Sequence, residues 1–349
     1  MGKKKFTVGY FYRYFPQTIT PYMDSLSEVF FSWPGTASCR NVIGSAERLL
    51  PMLVPDMQWA RKQGLRLNLL FNSSCYGEKA STPAHRAELN KLMKIIDSYG
   101  LFPDIITTSS PYIAKVFKTD FTGVEVRASI NMRVNSVLTL ECLAPWFDSF
   151  YIWRDVQRDL NSVKLMSKWC ADNDRKLGIL VNSGCLNSCP WQSYHESVMA
   201  HNFQAASAGS AMLDVPMTVC HHNFTNGKYG DVLRSGWIRP DDLHIFEPYF
   251  SFIKLATRTI IRPMPVLKAY TEGKYTGDML ALLDPCYAEM DSPVIMDNSA
   301  FPPGWTASGT AGVCAMTCTQ CGGCERTLEQ VIKQRQRVSS INISQLSFK

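Results

Sequence analysis

The sequence predicts an α/β protein built on a (β/α)8 TIM-like barrel with a small C-terminal cysteine-rich extension. Three observations predict it. Strand-like apolar runs recur at a fairly regular spacing, mostly separated by helical segments. The residues that end those runs are polar or bear thiols, while the interiors are apolar, as a barrel with its site at the strands' C-terminal ends requires. The 349 residues, 46% of them hydrophobic, suffice for one large barrel plus an appendage.

The first strand is expected at residues 6–11. A connecting region follows, with helical apolar spacing over 46–60, and Pro51 and Pro55 are expected to break it into pieces. The second strand, 65–71, ends in Asn72-Ser73-Ser74-Cys75. An amphipathic helix over 83–99 lines up Leu89, Leu92, Ile95 and Ile96, and Gly100 suits the position just past its end. The third strand is 104–108, and Ser110-Pro111 opens a helix through Val116. The fourth strand is 124–130, followed by a helix over 137–146. The fifth, 149–153, ends at Arg154-Asp155 and leads to a helix over 160–169.

The sixth strand, 177–181, runs into Gly184-Cys185-Leu186-Asn187-Ser188-Cys189-Pro190, and a helix follows from Trp191 to about Ala206. The seventh, 213–219, is weaker, with Pro216 inside it and Cys220 at its end. Arg239-Pro240-Asp241-Asp242 starts another helix. The eighth strand is 250–255, then Arg258. Helical pieces at 265–270 and 278–283 complete residues 1–290 as the barrel. A Pro-, Gly- and Ser-rich loop then opens the extension, 291–349.

Composition excludes several classes. The net charge of +6 comes without any run of five or six basic residues, so DNA binding is not expected. Lys3 to Lys5 are not followed by an uninterrupted apolar segment, because Arg13 and Pro16 intervene, and no stretch of 18 apolar residues exists. A cytoplasmic protein with no membrane span is expected. Nucleotide-binding and α/β-hydrolase motifs are missing.

Twelve cysteines then need a reason other than a disulfide framework. Cys39, Cys142, Cys170 and Cys286 are isolated and read as small buried hydrophobes. Cys314, Cys318, Cys321 and Cys324 lie close together among glycines and small residues, and can wrap a 4Fe-4S cluster. Zinc is the alternative, since four thiolates also suit a tetrahedral ion. The spacing of the first three matches the radical-SAM signature, but the loop follows the last strand and a fourth cysteine would fill the open iron site.

Cys185, Cys189 and Cys220 form the second group. On neighbouring sixth and seventh strands they would converge on one cluster or ion at the barrel mouth. Cys75, His195, His201, His221, a substrate or water would supply the fourth position, and Cys185 and Cys189 with His195 and His201 also make a zinc pattern. His221 and His222 adjoin, so on a strand only one of them would face the site. Arg154, Lys254 and Arg258 are expected to orient an anionic substrate. The plain alternative for the last two is an ion pair with Glu247 or Asp242. His195 is the candidate for proton transfer.

Several stretches together resemble one family. Asn182 to Pro190 with Tyr194-His195, Trp237-Ile238-Arg239-Pro240-Asp241-Asp242-Leu243, Phe252-Ile253-Lys254-Leu255, Asn72-Ser73-Ser74-Cys75-Tyr76-Gly77 and the terminal cysteine loop are similar, in order, to the U32 "peptidase" (collagenase-like) family. The resemblance implies a TIM-like barrel holding an iron–sulfur cluster, with Cys185, Cys189 and Cys220 among its ligands. It implies oxygen-independent hydroxylation of the kind relatives perform on a quinone precursor or RNA bases, with prephenate as the oxygen source. Pro216 stands where close relatives would carry a further cysteine. The expectation is therefore an iron–sulfur enzyme acting on a small-molecule or RNA substrate, with an electron donor. A metal-dependent peptidase using Glu196 beside His195, and a non-catalytic cluster-bearing partner subunit, are the alternatives.

Overall fold

Parallel strands joined by helices can bury both faces only by closing on themselves or by stacking helices on each side. This chain closes. The computed structural model describes residues 6–38, 45–207, 218–258, 260–290, 292–308 and 321–335. Strands β1 (Phe6–Gly9), β2 (Leu26–Phe31), β3 (Arg66–Phe71), β4 (Ile105–Thr108), β5 (Glu125–Ala128), β6 (Ser149–Tyr151), β7 (Lys176–Leu180) and β8 (Phe252–Leu255) pair in sequence order, all parallel. β8 returns to β1, with Lys254 opposite Thr7.

Helices α1 (Phe15–Ile19), α2 (Ala46–Lys62), α3 (Pro83–Ser98), α4 (Pro111–Asp120), α5 (Val137–Leu143) and α6 (Leu160–Asp172) follow in turn. The long connection from β7 to β8 carries α7 (Gln192–Ser207), α8 (Val219–Thr225), α9 (Gly230–Leu233) and α10 (Leu243–Phe246), and α11 (Met264–Glu272) follows β8. The result is a (β/α)8 TIM-like barrel. No helix among the described residues is long and apolar enough to cross a membrane.

Two strand assignments change. β2 lies inside the region expected to be a connection; it is a six-residue run with Glu28 in its middle, which masks its period. The expected seventh strand is not part of the barrel. Residues 213–217 lie outside the described set, Val219 and Cys220 are helical, and β7 pairs directly with β8, so the ring has no place for another strand. Cys220 therefore reaches the mouth from a helix, and His221 and His222 are helical neighbours.

α2 is also continuous, despite Pro51 and Pro55. The two prolines stand four apart on the exposed side, opposite the buried Leu49, Leu53, Met57 and Ala60. The carbonyls they free can be hydrated there, and the buried stripe holds the helix together.

Inside the barrel, every second residue of a strand faces inward. The lower half is not apolar, contrary to expectation. Arg127, 1% exposed, donates to both Glu28 carboxylate oxygens at 2.9 and 2.8 Å, to Glu125 at 2.7 Å and to Ser149 at 3.0 Å. Asn68 donates to Glu28, and Thr107 to Asn68. The guanidinium also lies 3.7 Å from the Phe252 ring centre. That ring passes over Gly178, where a Cβ would stand 1.9 Å from it. The network occupies the barrel interior, and the cavity lined by Phe30 and Leu180 opens at the C-terminal ends of the strands.

The described parts of the extension are clipped to the barrel by charge. Asp242 accepts from the Gly304 and Thr306 amides, both at 2.9 Å, from the Thr306 hydroxyl at 2.7 Å and from Arg239. Asn298 accepts from Arg239 and donates to Asp241. Trp305 packs on Trp237 and Phe301. Arg239 to Asp242 thus forms a short 3-10 turn leading into α10, and serves as a clasp. Strand Val294–Met296 pairs antiparallel with Ile332–Gln334. Helix Gly323–Val331 packs on α9, where Glu325 pairs with Arg234.

Candidate functional site

A cavity of ≈ 430 Å³ opens above the barrel. Cys185, Cys189, Cys220, His195, His221, Arg154, Lys254 and Arg258 all line it, with Glu196, Asp284 and Glu289. Its apolar walls come from Phe30, Ile130, Leu180, Leu186, Met199 and Met290.

The thiol turn is built from the end of β7. Asn182 is a strut: its amide donates to the Ala256 and Leu282 carbonyls and its oxygen accepts from the Ala256 amide at 2.7 Å. The Gly184 carbonyl accepts from the Tyr287 hydroxyl at 2.8 Å and from Ser235 at 3.1 Å. Ser188 takes a left-handed φ of 51°, and its amide donates to Asp155 at 2.8 Å. The turn between Cys185 and Cys189 is thereby fixed at both ends before α7 starts.

Cys220 comes to the same wall from α8. Burial pushes its thiol up to about 11, and the nearby Cys185 and Cys189 push the same way. Burial also raises Cys189, with Cys185 adding to it. Tyr287 touches Cys220 as well as Gly184, and burial with the neighbouring thiols raises its phenol. Tyr287 therefore ties the α8 arm to the β7 arm. Reading the sequence missed it, because an isolated tyrosine outside any motif carries no signal. Among the described residues, no three of His, Cys, Asp and Glu meet closely enough to hold a single ion.

The cations line the same cavity as these thiols. The Lys254 ammonium lies 4.1 Å from the Phe30 ring centre and 5.0 Å from that of Tyr151. Arg258 donates to Ser32 at 3.0 Å. Asp242 is engaged by Arg239 and the extension, so it is not the anchor for Lys254 or Arg258. Arg154 stacks on Trp153 and lies 3.7 Å from Glu196. Glu196 also lies 3.9 Å from Arg133 and accepts from Gln192 and Ser74. Burial raises its carboxyl, and the two guanidiniums oppose that rise.

Other expected site residues go elsewhere. His222 bonds Asn226 on the outer side of α8. Cys75 and His201 contact one another and do not line the cavity. Cys170 is buried as expected, Cys286 is buried at the cavity wall, and Cys142 is exposed, contrary to expectation. Cys321 is exposed and Cys324 half-buried; Cys39, Cys314, Cys318 and Pro216 lie outside the described residues.

Comparison with known proteins places this architecture. No family model matches the chain. An uncharacterised protease of Methanocaldococcus jannaschii, MJ1657, is 25% identical over 289 residues, which is 80% of this chain and 81% of that protein. The solved structure of the U32 peptidase Mk0906 superposes with a TM-score of 0.55 over 73% of this chain and 93% of that one, at 14% identity. The chain is similar to the U32 peptidases. The U32-like stretches have distinct uses here. Cys185 to Cys189 form the cavity wall, Phe252–Leu255 is β8, and Arg239 to Asp242 clasp the extension.

Proposed function

We propose that this protein is an iron–sulfur-dependent barrel enzyme performing redox or oxygen-independent hydroxylation chemistry. The observation that carries the reading is the convergence of Cys185, Cys189 and Cys220, from two separate elements, on one wall of a cavity that Arg154, Lys254 and Arg258 also line. Three soft donors that share a wall without meeting at a point suit the separate iron corners of a 4Fe-4S cluster better than a single ion. Such a cluster supplies one-electron transfer or an exposed iron corner to the reaction. The chain's own residues do the rest. Arg154, Lys254 and Arg258 hold an anionic group of the substrate, and the apolar walls exclude water around its body. His195, on the first turns of α7 and in the cavity lining, carries a proton in this reading. The volume admits a small molecule or a single unstacked RNA base.

In this reading the protein is cytoplasmic. Cys314, Cys318, Cys321 and Cys324 hold a second cluster, reduced by an electron donor that docks on the extension. A peptidase reading has the name of the MJ1657 protease behind it, but no geometry. Glu196, the carboxylate it needs as base, is clamped between Arg154 and Arg133.

Anaerobic purification with iron, zinc and acid-labile sulfide analysis tests the proposal. The expected result is brown protein with about four irons per cluster, falling by one cluster in Cys185→Ser and Cys220→Ser. Colourless protein loaded with zinc overturns it. Full activity in both serine variants would leave the partner-subunit reading.

A further inference from the structure

Cys75 stands apart from the three thiols of the cavity. It follows β3, is half-buried, and its Sγ accepts from the Gly77 amide at 3.4 Å. The imidazole of His201, from α7, bonds the same sulfur. The neighbouring Ser74 donates to Glu196 on the same helix. The loop after β3 and the helix α7 are thus joined by a thiol–imidazole contact outside the cavity lining and by a hydroxyl–carboxylate contact to Glu196 at the cavity's edge.

We propose that Cys75 and His201 form a reactive thiol–imidazole pair, a modification site that takes low-molecular-weight disulfides. The proposal is independent of any cluster at Cys185, Cys189 and Cys220. Cys75 gives its proton to His201, and its sulfur attacks one sulfur of the disulfide. A Cys75–sulfur bond forms, the incoming disulfide bond breaks, and the departing thiolate takes the proton from His201. Excess free thiol reverses the step. The adduct removes the Cys75–His201 contact, and with it a tie between the β3 loop and the helix that carries His195 and Glu196.

Thiol electrostatics support the geometry. The Gly77 amide and His201 lower the Cys75 thiol against the effect of burial, whereas burial raises Cys170, Cys189, Cys220 and Cys286. Reactivity follows thiolate fraction, although a less basic sulfur is a weaker nucleophile, so a tenfold gain in thiolate yields about threefold in rate.

Cys142 is the internal control, because it is more exposed than Cys75. Full-length protein is treated anaerobically with oxidised glutathione at neutral pH, and mixed disulfides are located by peptide mass spectrometry over time. Activation predicts that Cys75 is modified ahead of Cys142, by about threefold or more. The variant His201→Gln reduces the Cys75 rate toward that of Cys142 and leaves Cys142 unchanged. Access alone predicts the reverse order. Modification of Cys142 first in the unaltered protein, or a Cys75 rate unaffected by His201→Gln, overturns the proposal; the first comparison needs no variant.

Discussion

The Tyr287 hydroxyl donates to the Gly184 carbonyl at 2.8 Å, and its ring occupies the space where a Cβ on residue 184 would stand, 2.8 Å away. Residues 103 apart in sequence thereby set the depth of the thiol turn. Tyr287→Phe keeps the ring and removes the hydroxyl. Ser235 still serves the carbonyl, so the expected loss is small, about 1 kcal/mol in urea unfolding. The larger expected effect is on the thiol wall: if it holds the proposed cluster, bound iron per chain falls in Tyr287→Phe while the fold, read by far-ultraviolet circular dichroism, is retained.

Gly178 permits the Phe252 ring to cross β7. That ring is held between Arg127 and Tyr151, with its centre 5.1 Å from that of Tyr151. The ring is 4% exposed, so it can yield only by displacing buried neighbours. Gly178→Ala is expected to destabilise the barrel by about 3 kcal/mol, the upper end of ordinary overpacking. Adding Phe252→Leu recovers part of the loss, a non-additivity measurable in a double-mutant cycle.

Glu125 sets an acid limit on stability. Burial alone would raise its carboxyl, but Arg127, Ser149 and Arg66 outweigh burial and hold it well below the usual glutamate range. A carboxyl lowered on folding contributes stability that is present above its unfolded value and lost as the pH falls toward its folded value. Unfolding free energy should therefore be level near neutrality and fall below about pH 4. Glu125→Gln removes its share of that slope and lowers stability at neutral pH, as denaturant titrations across this range would record.

Asp242 clasps the extension through the Gly304 and Thr306 amides and the Thr306 hydroxyl. Asp242→Asn weakens these charge-assisted bonds by about 2 kcal/mol in total. Opening of the segment near Trp305 should rise about thirtyfold, read as faster limited proteolysis between Asn298 and Ser308 with the barrel intact.

Much of the barrel was legible in the sequence because a buried parallel strand is a short, nearly continuous apolar run. β1, β3, β4 and β6 to β8 stand out in this way, and the run around β5 is legible from Val124, Val126 and Ala128 despite Glu125 and Arg127. β2 did not, because Glu28 interrupts it. That residue is tolerable there only because Arg127, from β5, meets it inside the closed ring. The weak run around Pro216 reads as a strand in the sequence, but its end, Val219 and Cys220, is helical.

The sequence by itself determined the fold class, the thiol pair Cys185 and Cys189 on one turn, and the cations at the strand ends, because each depends on local spacing or on the polarity change where a strand stops. The tertiary structure alone decided that Cys220 arrives on a helix, that Tyr287 and Asp155 hold the thiol turn, that Cys75 pairs with His201, and that Arg239 to Asp242 form a clasp. Those relationships join segments tens to hundreds of residues apart. They come from closure of the ring, which brings loops together by strand order and leaves no periodicity in the chain to announce them.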